Sequence, residues 1–318
     1  MDTSKAAATV PAMLIRQFEY LVALAREQHF GRAADACHVT QPTLSAAIRQ
    51  FEEELGAPVI ERGHRYLGLT PQGKLAVEHA QRVLAEIEDL KRGVEALDKG
   101  VSGRLRLGVI PTALPVVSQL TMPFLARFPG VTVAVLSCTS QDIQRGLEAF
   151  EMDAGLTYLD AEPLEHLLTR PIYTEEYAFL TPLAGPYADR ERISWREAAE
   201  APLCLLTPDM QNRRIIDGVF RSVGATPKPS IETNSIFNLV AHTASGPWSA
   251  IVPRQLLQFF GTPPSTRALE LVEPTARRSV GLVIADRHPV GPLARKLMDL
   301  TLPDDIISRM VPLAGAVR

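Results

Sequence analysis

Two sets of small hydrogen-bonding side chains carry the chemistry in this chain. The first is compact: Thr40-Gln41-Pro42-Thr43 with Ser45, directly after the polar break that follows "FGRAADA". A helix meant only for packing would open on Ala, Leu or Glu. Here Thr40 can cap, Gln41 can pair bidentately with an adenine edge, and the methyl of Thr43 can touch a thymine methyl. Backbone N–H groups of the same first turn can face phosphates. Arg32 and Arg49 fit phosphate contacts, and Gly63-His64-Arg65 fits the tip of a β-wing whose Arg65 enters a minor groove. The chemistry implied is the reading of double-stranded DNA.

The second set is dispersed along the chain at expected strand ends. Thr112 follows "RLRLGVI", Thr139 and Ser140 follow "VTVAVLSC", Thr207 follows "PLCLL", and Asn234 and Ser235 precede a helix starting near Ile236. Hydroxyls, amides and helix N-termini together hold anions, although each residue alone could equally be a helix cap. No lysine or arginine stands among them, which suits a small monocarboxylate or another compact anion rather than a sugar bisphosphate.

The remaining features exclude more than they suggest. With 318 residues, 46% hydrophobic, the chain can bury more than one core, and its net charge of −3 does not advertise nucleic acid. Any basic groups facing DNA must therefore be sorted onto one surface. No apolar run approaches the roughly 20 residues that span a bilayer. The opening Met1-Asp2-Thr3 does not resemble a secretory leader, so a cytoplasmic location without membrane contact is expected. Cys37, Cys138 and Cys204 form no C-x-x-C pair, and no metal or cofactor is expected. Phosphate-binding, nucleophile-elbow and dinucleotide motifs are absent from the sequence, which argues against an enzyme, with turnover of a small acid the remote exception. A redox switch through Cys138 and Cys204 is the alternative to ligand sensing.

The elements that must position these groups follow from spacing. Residues 1–12 form an arm of small residues, and 13–70 three helices and a hairpin. Residues 71–99 form one long helix, capped by Thr70 with Pro71 at its first position. Ala76, Ala80, Val83, Ile87, Leu90, Val94 and Leu97 alternate spacings of four and three along it. That heptad seam suits pairing with a second copy, Val83, Ile87, Leu90, Val94 and Leu97 forming the contact. Residues 100–103 make a hinge, and from 104 to 318 strands and helices alternate, the signature of an α/β fold. One half is expected over about 104–180 and 283–318, the other over about 184–282.

The stretch "FGRAADACHVTQPTLSAAIRQFEEELGAPVIERGHRYLGLTPQG" resembles the LysR-type transcriptional regulators, and the likeness extends over nearly the whole chain. It implies an N-terminal all-α winged helix-turn-helix and a linker helix, followed by a two-lobed α/β effector domain like those of periplasmic binding proteins. Members usually act as tetramers, dimers of dimers, and respond to a metabolite between the lobes, with RNA polymerase as a possible further partner. Two departures stand out. Ala46 occupies a place where the family often has arginine, and Gly246-Pro247-Trp248 replaces a smaller glycine-rich segment at the expected cleft edge. "GVIPTALP" and "DAGLTYLDAEPLE" are similar to members associated with formate dehydrogenase operons, which makes formate the specific expectation for the effector.

Overall fold

The computed structural model describes residues 14–61, 66–99, 101–160, 162–287 and 289–301, with backbone alone at 92 and 95–99. The chain divides into two compact units, Met1–Val94 and Glu95–Arg318.

In the first unit, α1 (Ile15–Glu27), α2 (Phe30–Ala36) and α3 (Gln41–Leu55) precede the long α4 (Pro71–Lys99). Helix α3 buries Leu44, Ile48 and Phe51, spaced four and three, so one stripe faces the core and its opposite side stays in solvent. Phe18 of α1 meets Phe51 edge-on at 5.8 Å. Ala33 and Ala34 are buried and let α2 pack closely, whereas Ala36 of the same helix faces solvent. Between α3 and α4 an antiparallel bridge joins Ile60 and Leu69, the base of the expected hairpin. Its tip, including Gly63, His64 and Arg65, lies outside the described residues, as do residues 1–12. Thr70 caps α4 by accepting from the Gly73 N–H at 2.9 Å. A Cβ at Gly73 would stand 1.9 Å from the Val59 carbonyl oxygen, so only glycine lets the hairpin approach the helix.

Along α4, Val77 and Ala80 are buried in this unit's core. Further on, Val83, Leu90 and Val94 are 38%, 67% and 53% exposed in the single chain, and Ile87 is half-buried. The side chain of Leu97 lies outside the described residues.

The second unit holds β1 (Ser102–Val109), α5 (Leu114–Arg127), β2 (Gly130–Ser137), α6 (Ser140–Glu148), β3 (Ala154–Tyr158) and the long β4 (Leu167–Pro182). There follow β5 (Arg192–Ser194), α7 (Trp195–Ala198), β6 (Leu203–Leu206), α8 (Gln211–Ser222), β7 (Ile231–Thr233), α9 (Ile236–Ser245) and β8 (Ser249–Pro253). Last come α10 (Arg254–Phe260), β9 (Thr266–Val272), β10 (Arg277–Ala285) and α11 (Pro292–Met298). The strands run in the order β2-β1-β3-β10-β4-β8-β6-β7, with β9 pairing β4 and β5.

Strand β4 belongs to both lobes. Leu167–Glu176 pairs with β10 in the first sheet, and Tyr177–Pro182 pairs with β8 and β9 in the second. The outward crossing thus falls at Glu176–Tyr177, before the expected 180–184. The return lies between the end of β9 at Val272 and the start of β10 at Arg277, before the expected 283. The reason is continuity: β4 passes the waist without a turn residue. "RRSVGLVIA" is one uninterrupted first-lobe strand whose turn, Glu273–Ala276, comes ahead of it.

Candidate functional site

On the first unit, Thr40, Gln41, Pro42, Thr43, Ser45 and Arg49 of the predicted DNA-reading residues lie along α3 or at its start. Thr40 is the N-cap, its Oγ1 accepting from the Thr43 N–H at 3.4 Å and lying 2.8 Å from the Thr43 hydroxyl. Gln41, Pro42, Thr43 and Arg49 are exposed and Ser45 is half-buried. The Arg49 Nε donates to the Ser45 carbonyl at 3.3 Å, which holds its head along the helix. Arg32 is exposed on α2, but its Nη2 donates to the Glu27 carbonyl at 2.6 Å, so a phosphate would compete with that bond. The sequence reading missed His29, whose Nδ1 caps α2 by accepting from the Gly31 and Arg32 N–H groups at 3.1 and 3.3 Å.

In the second unit, a pocket of ≈ 220 Å³, counting the space at its open mouth, lies between the lobes. Ile110, Pro111, Thr112, Thr139, Ser140 and Tyr158 line it from one side and Leu206, Met210, Gln211 and Asn212 from the other. Three of the six predicted ligand residues therefore meet: Thr112, Thr139 and Ser140. The other three do not line it. Thr207 sits one turn before α8, its backbone tied to the Thr233 carbonyl at 3.0 Å. Asn234 is exposed, and Ser235 is the N-cap of α9, which starts at another place in the second lobe. Trp248 does not edge the pocket either. Its ring packs over Gly246 and edge-on to His242 at 6.0 Å, turned back onto α9.

Three helical N-termini point into this pocket. The 3-10 turn Pro111–Ala113 leads into α5, α6 begins at Ser140, and α8 begins at Gln211 without any side-chain cap. Thr139 is partly committed as the α6 cap: its hydroxyl donates to Asp142 at 2.7 Å and accepts from the Asp142 N–H at 3.1 Å. Those hydrogen bonds to Thr139 hold the Asp142 carboxyl below its ordinary pKa despite partial burial, with Arg145 assisting. By contrast, Ser140 Oγ, Gln211 Oε1 and Asn212 Oδ1 are buried and have no hydrogen-bond partner among the described residues. Their residues are 8%, 3% and 4% exposed. Buried polar atoms left unpaired cost about 1–3 kcal/mol each, so a pocket lined by three of them is built to be filled.

Beneath the pocket lies a feature that sequence reasoning missed. The Tyr158 hydroxyl donates to Glu175 Oε1 at 2.5 Å, accepts from Asn212 Nδ2 at 2.9 Å and lies 3.1 Å from the Thr112 hydroxyl. Glu175 is fully buried on β4 at the waist, and Tyr173 and Tyr177 of the same strand also face its carboxyl group. Burial pushes its pKa up to about 7, against the opposing pull of the surrounding hydroxyls, led by Tyr158. Burial, then the Glu175 charge, drives Tyr158 well above the ordinary phenol value. In "YTEEYAFL" alternation puts Glu175 on the face of Tyr173, Tyr177 and Phe179, but it does not show that this face is enclosed or which groups from other strands meet the carboxyl.

The cysteines are placed differently from the pocket groups. None lines it. Cys138 is half-buried at the end of β2, with its Sγ donating to the Leu136 carbonyl at 3.2 Å, and burial raises its pKa. Cys204 is fully buried on β6 in a separate cluster of the second lobe, and burial pushes its pKa up to about 11. Neither thiol has the electropositive setting that favours a thiolate. Among the described residues no group of His, Cys, Asp or Glu could hold a metal, and no helix is long and apolar enough to cross a membrane.

Two family profiles match the two units. "Bacterial regulatory helix-turn-helix protein, lysR family" covers residues 15–74, and "LysR substrate binding domain" covers residues 98–303. The chain is a LysR-type transcriptional regulator. The family is one of DNA-binding regulators, not enzymes, and this regulator carries both its helix-turn-helix and its ligand domain. Among curated relatives, a "Hydrogen peroxide-inducible genes activator" from Pectobacterium carotovorum subsp. carotovorum is 31% identical over 288 residues, covering 90% of this chain and 95% of its own. The "DNA-binding transcriptional dual regulator OxyR" of Escherichia coli K12 is 31% identical over 284 residues, covering 87% and 91%. Among solved structures, a full-length OxyR variant from Pseudomonas aeruginosa superposes with a TM-score of 0.70 at 25% identity, covering 96% of this chain and all of that one. The LysR-family regulator CbnR shares the fold, with a TM-score of 0.66 at 19% identity over 94% of this chain and 99% of that one. The resemblance to regulators of formate dehydrogenase operons finds no counterpart among these relatives.

Proposed function

We propose that this regulator binds a ligand of a few heavy atoms in the inter-lobe pocket of Thr112, Ser140, Gln211 and Asn212 and changes its hold on an operator in response. The observation that carries the reading is the set of buried, unpaired polar atoms at converging helix N-termini. The ≈ 220 Å³ counts open solvent at the mouth, so the enclosed part has room only for a very small molecule. Backbone N–H groups at the helix starts favour an anion, whereas the unpaired amide oxygens of Gln211 and Asn212 only accept and need a donor beside it. Among the described residues the buried arginine, Arg213, is already engaged by Asp217 at 2.9 Å and Glu232 at 2.7 Å. A small monocarboxylate held by those N–H groups, with a water donating to the amide oxygens, fits these conditions, formate being the smallest. Operator contact would come from Gln41, Thr43, Ser45 and the flanking Arg32, Arg49 and Arg65, and pairing of copies from the apolar row Val83–Ile87–Leu90–Val94 on α4.

A second reading has a specific support: relatives about 30% identical over most of the chain are named activators of hydrogen peroxide-inducible genes. In that reading an oxidant is the signal, through Cys138 and Cys204 or through peroxide held in the pocket itself. The raised pKa of both thiols weighs against the first route. Footprinting on the regulator's own promoter, with sodium formate or hydrogen peroxide, separates the readings. A footprint changed by formate and unchanged by peroxide supports the first. A peroxide response lost on replacing Cys138 and Cys204 by serine establishes the thiol route, and one that survives the replacement points to peroxide in the pocket.

A further inference from the structure

The proposed ligand pocket is linked to a buried carboxyl group through the phenol of Tyr158, which lines it and which Thr112 also bonds. Thr112 belongs to the first lobe's 3-10 turn, Tyr158 to β3, Glu175 to the strand that joins the lobes, and Asn212 to α8 of the second lobe. The chain of hydrogen bonds therefore crosses the same waist that the ligand would bridge. Its polarity is set by Glu175. With the carboxyl ionised, Tyr158 must donate to it, so the phenol oxygen accepts from Asn212 and from Thr112. Thr112 then has only lone pairs to offer the pocket, which repels an anion.

We propose that Glu175 makes this pocket proton-linked, so that a small carboxylate binds together with one proton taken from water onto Glu175. This rests on the pocket being the ligand site for such an anion. The step balances simply: an O–H bond forms on the Glu175 carboxylate, the bond to that proton breaks in hydronium or the buffer acid, and one negative charge is neutralised as another enters. The protonated carboxyl donates to the Tyr158 oxygen, Tyr158 turns its own proton to Thr112, and Thr112 is freed to donate into the pocket. Asn212 keeps its bond to Tyr158 throughout, so the lobes stay tied while the donor pattern reverses.

The groups facing Glu175 leave it as the member that titrates. Tyr158, Tyr173 and Tyr177 are buried phenols held well above their ordinary range by burial. Thr112 and Asn212 are neutral, and Gln255 of α10, which donates to the Thr174 carbonyl, is neutral as well. Arg278 of β10, in register with Glu175, is the neighbouring cation and does not lose its proton in the working range. Asp142, next to the lining residue Thr139, is held below its ordinary pKa by the cap it shares with that hydroxyl.

The test is calorimetric titration of the full-length protein with sodium formate from pH 6 to 8, in pairs of buffers with different ionisation heats. Formate itself stays ionised throughout, so any proton uptake belongs to the protein. The expected result is uptake approaching one proton and a Kd that rises about tenfold per pH unit above about 7. In Glu175→Gln the Kd is expected to lose that slope. Should the variant not fold, difference infrared spectra of the wild type decide, since a protonated-carboxyl band must grow on adding formate. Formate binding with no proton uptake, or a slope that survives in Glu175→Gln, overturns the proton link while leaving the pocket as ligand site. No binding at any pH removes the ligand class and the link together.

Discussion

The start of α3 and the inter-lobe pocket use the same side-chain types in opposite settings. On α3 the hydroxyls and amide of Thr40, Gln41 and Thr43 are exposed, so water satisfies them until something replaces it. In the pocket Thr112, Ser140, Gln211 and Asn212 are buried, and three of them keep an unpaired oxygen. Exposed groups cost little when idle and can be spent on whichever surface docks. Buried ones are costly when unfilled, so they restrict what may enter and link its arrival to the conformation of both lobes. The difference teaches that hydrogen-bonding residues signify sites only together with their burial.

Substitutions can break this contrast at several depths. The largest effect is expected for Leu44→Ala, which empties a fully buried position of the first unit's core. It should cost about 2–5 kcal/mol and abolish operator binding, while calorimetry with formate remains as in the wild type. If ligand binding is lost as well, the two units are not energetically separate.

Next in size is the pH dependence of the second unit. The Glu175 carboxyl is raised from its ordinary 4.5 to about 7, so between those values the native state holds a proton that the unfolded chain has released. The contribution is full below 4.5 and lost as pH rises through 7, on the order of 3 kcal/mol for a group this buried. Urea unfolding at pH 5 and pH 8 should show that loss, and Glu175→Gln should remove it. A stability that rises over this range in the wild type, and does so equally in the variant, would contradict the burial argument.

A smaller and more selective change is expected on the exposed side. Gln41→Ala should leave the melting temperature unchanged and weaken operator binding by about 1–3 kcal/mol, with random DNA unaffected. Equal losses on operator and random DNA would reduce Gln41 to a backbone contact.

What was legible in the sequence follows the same divide. Caps and exposed runs are local: Thr40 with its proline, Thr70 with Pro71 and the period of α4 all report on residues three or four places away. The pocket was half legible. Thr112, Thr139 and Ser140 follow the ends of β1 and β2, and these two strands are parallel neighbours, so their ends gather on one side. Asn234 and Ser235 obey the same local rule but begin a helix elsewhere in the second lobe. Gln211, Asn212, Tyr158 and Glu175 escaped because what selects them is long-range. The Tyr158–Glu175 bond joins two strands, and Asn212 reaches Tyr158 across 54 sequence positions. The waist crossings were displaced for a related reason, since β4 runs through both sheets and no turn residue marks where its partners change.

The most direct measurement of the central claim is a calorimetric titration of sodium formate, at pH 6.5, into the wild type and Thr112→Val. The substitution keeps the shape of a residue that is 1% exposed while deleting the hydroxyl through which the first lobe's 3-10 turn bonds Tyr158. The expected result is binding in the wild type and a loss of about tenfold or more in the variant, with the variant's melting temperature close to that of the wild type. Formate affinity untouched by Thr112→Val would place the ligand elsewhere and contradict the pocket as the sensing site.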